Sequence, residues 1–148
     1  MAVKPIPDGY HTVTPYLIVR DAAGLIAFVQ QAFDAQEEVR MDRPDGSVMH
    51  AEVRIGDSVV MLAQADDDEQ IRPGMLHLYL EDVDAAYQQA LSAGATSLQE
   101  PADQFYGDRS AGVEDDFGNQ WWLATHVEDV SPAETRRRAE EAMAAQQE

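Results

Sequence analysis

The stretch LHLYLEDVDAAYQQALSAG, from Leu76 to Gly94, joins a strand pattern to a helix pattern. Leucines alternate with other residues up to Leu80, which is the period of a strand with one buried face. An amphipathic helical pattern follows Asp82. The stretch VTPYLIVRDAAGLIAFVQQAF, which begins at Val13, has the same layout, and its Asp21 lies 61 residues before Asp82. The chain therefore contains an internal repeat.

Each helix pattern is followed by strand patterns that end in a hairpin signal. The first hairpin has Gly56-Asp57 at its turn, and the second has the segment DFGN at residues 116–119. Both halves are thus predicted to fold as β-α-β-β-β, with module one at about 10–65 and module two at 75–128. The charged, proline-containing stretch at 66–74 is predicted to link them. Together they form one predicted domain, 1–128.

Residues 129–148 are predicted to form a C-terminal helical tail. Ser131, Pro132 and Glu134 provide an N-cap, a first-turn proline and a capping-box glutamate. Few large apolar residues follow, so a solvated tail and a clasp in a dimer both remain open.

The composition limits the classes of partner. A net charge of -18 with ten Lys and Arg argues against nucleic-acid binding and acidic membrane surfaces. The absence of cysteine excludes disulfides and zinc-thiolate sites, and fits a cytoplasmic location. The N-terminus lacks the apolar region of a signal peptide, and no apolar run is long enough for a membrane span. Small molecules are the expected partners.

A second informative stretch is GSVMHAEVRIGDSVVMLAQ, at residues 46–64. His50, Glu52 and Arg54 occupy every second position there, with apolar residues between them. In a strand, these three side chains share one face. This face is a candidate metal site, a ligand-binding surface or simply the wet side of a sheet.

The repeat, together with HLYLEDVDAAYQQALSAGA at 77–95 and FYGDRSAGVEDDFGNQWWLAT at 105–125, resembles the vicinal oxygen chelate superfamily. Within it, the chain is similar to the glyoxalase-like branch, which is known as glyoxalase/bleomycin-resistance/dioxygenase. The resemblance implies an α+β fold, in which eight strands form an open cup with helices outside and a ligand inside, commonly in a homodimer. It leaves the activity open, because the superfamily includes isomerases, dioxygenases, resistance enzymes and binding proteins without catalysis.

The resemblance also permits a test for the metal centre of the family. The four ligand positions correspond to Thr14, Met61, Met75 and Trp122 in this chain. None is a usual ligand for Zn, Fe or Ni, which favour imidazole and carboxylate. The superfamily's metal centre is therefore expected to be absent, and no cofactor is predicted.

The resemblance implies that Met61 and Trp122 face the cup, and the hairpins then indicate which residues lie beside them. A two-residue turn at Gly56-Asp57 places Glu52 opposite Met61, and the same reasoning places Val113 opposite Trp122 in the second hairpin. The expected cup residues are Tyr16, His50, Glu52, Arg54, Met61, His77, Tyr79, Arg109 and Trp122. Such a set suits a small aromatic or anionic molecule, with aromatic rings for stacking and arginines for charge. Structural ion pairs are the alternative role for Arg54 and Arg109.

Two functions remain open, besides the alternative that the cup is vestigial and the dimer serves an interaction role. The first is a metal-independent binding protein of the bleomycin-resistance kind, in which Tyr16, Tyr79 and Trp122 stack on the ligand and Arg54 and Arg109 hold its charge. The second is a lyase, isomerase or dioxygenase that uses a displaced metal triad of His50, Glu52 and His77, or histidine acid-base chemistry. The loss of the family's ligands favours the first. Trp121 is expected in the core or in a dimer contact, and His11 and His126 are expected at the surface.

Overall fold

The computed structural model describes residues 2–147, so Met1 and Glu148 lie outside the described part of the domain and of the tail. The element order confirms the predicted α+β tandem βαβββ fold with a C-terminal helix. Module one contains β1 (Tyr16–Val19), α1 (Ala22–Phe33), β2 (Gln36–Asp42), β3 (Val48–Ile55) and β4 (Ser58–Gln64). Module two contains β5 (Met75–Tyr79), α2 (Val83–Ser92), β6 (Thr96–Asp103), β7 (Asp108–Glu114) and β8 (Gln120–His126). The tail forms α3 (Pro132–Gln146).

The eight strands are divided between two four-stranded mixed sheets of identical topology. Their orders are β1-β4-β3-β2 and β5-β8-β7-β6, with β1 parallel to β4 and β5 parallel to β8. Strands β1 and β5 therefore occupy equivalent edges of their sheets. The connection between the modules contains a short 3-10 helix at Asp68–Gln70, and Arg72 forms an isolated backbone bridge with Ile18 on β1.

Equivalent aspartates start the two helices that follow these edge strands. The side chain of Asp21 accepts a 2.9 Å hydrogen bond from the backbone N–H of Gly24, and that of Asp82 accepts a 3.1 Å bond from Ala85. Both bonds satisfy an N–H group that has no partner inside the helix. The repeat in the sequence thus specifies the same strand-to-helix turn twice.

The two modules share one hydrophobic core. Helices α1 and α2 pack against each other and against one side of each sheet. Phe33 at the end of α1 lies 5.1 Å from Trp121 on β8, measured between ring centroids. Trp121 is fully buried, as expected for a core residue. The apolar face of each sheet packs into this core. The opposite, polar face of each sheet lies outside it.

Helix α3 begins as predicted but remains outside the core. Ser131 Oγ accepts a 3.1 Å hydrogen bond from the backbone N–H of Glu134, and no residue of α3 is buried. Arg138 ties the helix to the domain through Glu128 and the carbonyl oxygen of Phe105. Within the single chain, the helix is thus held at the surface of the domain by polar contacts.

Candidate ligand-binding site

The first polar face lies on the sheet of module one, and its register is the predicted one. Glu52 pairs with Met61, and Met61 pairs with Tyr16 on β1. His50 and Arg54 share this face with Glu52 because they lie at alternate positions of β3. The predicted placement of these side chains on one face is confirmed, and we call this surface the first polar face.

A continuous hydrogen-bond chain crosses the first polar face. Tyr16 Oη lies 2.9 Å from His50 Nδ1, and His50 Nε2 lies 2.9 Å from Glu52 Oε2. The hydroxyl of Tyr10, in the N-terminal segment, donates to the other oxygen of Glu52. This bond, reinforced by His50 and opposed by burial, holds the pKa of Glu52 below its ordinary value. Glu52 is therefore a carboxylate at neutral pH.

Arg54 lies on the same face but is already engaged. Its Nε donates a 2.7 Å hydrogen bond to Glu38 Oε1, and its Nη1 donates a 3.2 Å bond to the carbonyl oxygen of Gly9. Arg54 thus forms an ion pair with Glu38 of β2. The guanidinium thus fastens the N-terminal segment to the sheet.

The second polar face lies on the sheet of module two. Leu76 and Leu78 pack against the core, so Met75 and Tyr79 at the alternate positions of β5 point away from it, with exposed fractions of 71% and 65%. His77 shares this face, and its ring centroid lies 4.9 Å from that of Tyr79. Trp122 of β8 lies beside them, and a hollow is lined by Met75, His77 and Trp122.

The register of the second hairpin differs by one residue from the prediction, which was wrong here. Gly112, not Val113, pairs with Trp122, and Val113 pairs with Trp121. A one-residue shift moves every side chain of a strand to the opposite face. Ala111 and Val113 are consequently buried in the core instead of facing a cup.

The same shift changes the position of Arg109. Its guanidinium forms hydrogen bonds of 2.8 and 3.0 Å with the Asp84 carboxylate on α2 and one of 3.3 Å with Asp103. These bonds raise the pKa of Arg109, which stays charged. The prediction that Arg109 faces the cup is corrected. Arg109 instead forms structural ion pairs on the helix side of the sheet.

The residues that do occupy the second polar face in β7 were missed by the sequence analysis. Asp108 is buried and accepts 2.8 Å hydrogen bonds from Tyr79 Oη and His126 Nδ1. Burial raises the pKa of Asp108, but the bonds from His126 and Tyr79 outweigh it and leave the pKa below its ordinary value. The signal was the alternation of polar Asp108 and Ser110 with apolar Ala111 and Val113. His126 itself is at the surface, as predicted, with a side chain 51% exposed.

A cavity of about 530 Å³ lies between the two modules. Its walls come from β1 and the segment before it, the end of β3, the start of β4, and β5 with the segment just before it, and most of them are apolar. Tyr16 and His77 line it, one from each module, together with Arg72. Arg72 donates to the carbonyl oxygens of Glu69 and Ile71 and takes part in none of the ion pairs among residues 2–147. Sequence reasoning assigned Arg72 to the linker and missed its place beside the cavity.

The family assignment follows from comparison of the sequence with known proteins. The sequence profile of the glyoxalase/bleomycin resistance protein/dioxygenase superfamily matches residues 10–123. The chain belongs to this superfamily. It is 41% identical over 132 residues to an uncharacterized protein of Mycobacterium bovis, covering 80% of this chain and 86% of that protein. An uncharacterized protein of Mycobacterium tuberculosis is also 41% identical over 132 residues, which cover 76% of its length.

Solved structures show the same fold at low sequence identity. TioX from Micromonospora sp. ML1 aligns with a TM-score of 0.68 and 20% identity, covering 79% of this chain and 99% of TioX. The fosfomycin resistance protein FosX from Mesorhizobium loti aligns with a TM-score of 0.57 and 21% identity, covering 84% and 94% of the two chains. None of the helices within residues 2–147 has the length and apolar character needed to cross a bilayer.

The residues that the resemblance assigns to the superfamily's metal positions do not fit a divalent cation. Thr14 and Met61 line a pocket with Glu52 beneath the N-terminal segment, whereas Met75 and Trp122 lie on the second polar face. They offer a hydroxyl, two thioethers and an indole, which are poor ligands for Zn, Fe or Ni.

The displaced triad is not assembled either. His50 and Glu52 are hydrogen-bonded on the first polar face, while His77 lies on the second. Throughout the described chain, no three His, Asp or Glu side chains are grouped so that they could hold a metal ion. Among the described residues, His50, Glu52 and His77 are therefore not brought together as a metal-binding group.

Proposed function

We propose that this protein binds a small aromatic or anionic organic molecule in the cavity between its modules, without the superfamily's metal centre. The supporting observation is the cavity itself, of about 530 Å³, which has apolar walls and a few polar groups at its margin. Binding sites for small organic molecules typically have this size and this distribution of polarity.

The polar groups favour an anion with a flat apolar body. Arg72 is exposed, and its guanidinium is free of carboxylate partners among the described residues, so it is available to a ligand's carboxylate, sulfonate or phosphate. Arg54 and Arg109, by contrast, already pair with Glu38 and with Asp84. We therefore assign the charge-binding role to Arg72. Tyr16 and His77 offer ring faces and hydrogen-bonding edges to the same ligand.

Metal-free binding is proposed because of the ligand chemistry of the side chains. Neither the family's positions nor the displaced set presents a cluster of imidazole and carboxylate groups within residues 2–147. A metal-dependent lyase, isomerase or dioxygenase therefore has less support from this chain than a binding protein has.

We also propose that the protein forms a homodimer. Strand β5 has β8 as its one neighbour in the sheet, β1 has a single bridge to Arg72 along its outer edge, and Met75 exposes apolar surface beside β5. Unpaired strand edges with apolar side chains favour association with a second chain. Sedimentation equilibrium should give twice the chain mass of 16.4 kDa. A monomer at micromolar concentration would contradict this part of the proposal.

The binding proposal can be tested with 8-anilinonaphthalene-1-sulfonate, a fluorescent aromatic anion. We expect saturable binding to the folded protein and a loss of about tenfold in affinity in Arg72→Gln, because one charge-assisted contact contributes about 1.5 kcal/mol or more. Arg136→Gln is the matched control, since Arg136 is exposed on α3, away from the cavity. Equal affinities for the two variants would reject Arg72 as the anchor, and an absence of saturable binding would reject the cavity.

A further inference from the structure

We propose that Tyr16, His50 and Glu52 form a nucleophilic triad, in which the Tyr16 hydroxyl attacks a small carbonyl electrophile. Tyr16 Oη is 2.9 Å from His50 Nδ1, and His50 Nε2 is 2.9 Å from Glu52 Oε2. A nucleophile, a base and a carboxylate that orients the base have the same connectivity in serine hydrolases. The inference concerns reactivity, and it holds whether or not an aromatic anion binds in the cavity.

The triad requires one tautomer of the imidazole. Glu52 is held as a carboxylate, so in that tautomer His50 Nε2–H donates to Glu52. Nδ1 of the neutral ring then carries the lone pair and accepts the hydrogen bond from Tyr16. The proton of Tyr16 thus already points at a base, and the positive charge that would form on His50 is opposite a negative carboxylate.

Burial is graded along the triad. The Glu52 side chain is 11% exposed and that of His50 is 19% exposed. Tyr16 is 45% exposed and lines the cavity between the modules. The nucleophile can therefore meet a ligand, while the base and the carboxylate are shielded from water, which strengthens their interaction.

The chemistry can be written for an activated aryl ester. Tyr16 Oη forms a bond to the ester's carbonyl carbon, and the phenolic proton passes to His50 Nδ1. The bond from the acyl carbon to the aryl oxygen breaks, and the aryloxide leaves with the electron pair. The products are an acyl ester on Tyr16 and an imidazolium that Glu52 stabilises.

A second exposed tyrosine in the same chain provides a control. Tyr79 is 65% exposed, but its hydroxyl donates a 2.8 Å hydrogen bond to the Asp108 carboxylate and has no histidine acceptor. That hydrogen bond raises the pKa of Tyr79. Tyr79 therefore has greater exposure than Tyr16 but lacks the base. If exposure controlled acetylation, Tyr79 would react faster, whereas if the base controls it, Tyr16 reacts faster.

The test uses 4-nitrophenyl acetate with the full-length protein. We follow 4-nitrophenolate release and the rate of acetylation at each tyrosine by peptide mass spectrometry. Tyr16 should be acetylated faster than Tyr79, and Tyr16→Phe should lose the corresponding fast phase of release. His50→Gln should slow labelling of Tyr16 by about 10²-fold, the usual contribution of a general base. Glu52→Gln should slow it less, while Tyr79→Phe should leave it unchanged.

The pH profile separates activation from mere support of the fold. The profile of Tyr16 labelling should differ between the wild type and His50→Gln, because only the wild type has a base that accepts the phenolic proton. Equal labelling of Tyr16 and Tyr79 in the wild type would overturn the proposal, and so would a wild-type rate and pH profile in His50→Gln. If His50→Gln does not fold, the wild-type ratio of Tyr16 to Tyr79 decides.

Discussion

Trp121 Nε1 donates a 2.9 Å hydrogen bond to Asp115 Oδ2 inside the shared core, where both residues are almost fully buried. The same carboxylate accepts hydrogen bonds from the backbone N–H groups of Phe117 and Asn119 and from the Asn119 side chain, at 2.8 to 2.9 Å. Asp115 thus links the loop between β7 and β8 to the largest buried side chain of the protein. Four donors compensate for the burial of its charge.

Asp115→Ala should therefore destabilise the protein by about 3 kcal/mol or more, because it leaves buried donors of Trp121 and Asn119 without an acceptor. Urea unfolding monitored by tryptophan fluorescence measures the change. Asp116→Ala is the matched control, since Asp116 is the exposed neighbour in the same loop. It should change stability by less than about 0.5 kcal/mol. Similar losses in both variants would indicate that loop charge, not the buried network, is responsible.

This network also explains why one hairpin was predicted correctly from the sequence and the other was not. The first turn needs only Gly56, with a positive φ of 60°, and Asp57, and its two-residue length fixes the pairing of Ile55 with Ser58. In the second hairpin, Glu114 pairs with Gln120 across a five-residue loop that the Asp115 side chain organises. Side-chain contacts of this kind are not visible in a hydrophobic pattern, so the turn length was misjudged by one residue.

The candidate site was likewise predicted from the sequence only in part. Tyr16, His50 and Glu52 were placed on one face by strand periodicity together with the family resemblance, and the structure adds that they are hydrogen-bonded in series. The separation of His77 from them depends on how the two sheets pack, which a repeat in the sequence does not specify. Local periodicity therefore predicted the faces, and tertiary packing decided which faces meet.

His126 should make stability depend on pH near neutrality. Hydrogen bonds to Asp108 and then to Asp129 raise the pKa of His126. A raised pKa in the folded state means that the protonated form stabilises the fold. This stabilisation is complete at pH values below the unfolded-state pKa of about 6.5, and it is lost as the pH rises through the raised pKa. At acid pH the contribution ends as Asp108, whose pKa is lowered, becomes protonated. The wild type should thus be more stable than His126→Gln mainly at pH values between the protonation of Asp108 and the deprotonation of His126.

Chemical denaturation of both proteins from pH 3 to pH 9 would test this window. His11→Gln is a suitable control, because His11 contacts a backbone carbonyl oxygen, that of Asp57, at 3.1 Å. It should retain the pH dependence of the wild type. A difference between wild type and His126→Gln that grows as the pH rises above neutrality would contradict the assigned sign.

Gly112→Ala should destabilise the protein through one contact on the second polar face. A Cβ atom at Gly112 would lie 2.6 Å from Cζ3 of Trp122, and the Gly112 backbone is not in the left-handed region, so the indole is the obstacle. Overpacking of this kind costs about 1 to 3 kcal/mol. In a Trp122→Ala background the obstacle is gone, and the added loss should fall close to zero, as a double-mutant cycle of urea unfolding would measure. An equal loss in both backgrounds would locate the requirement for glycine in the backbone instead.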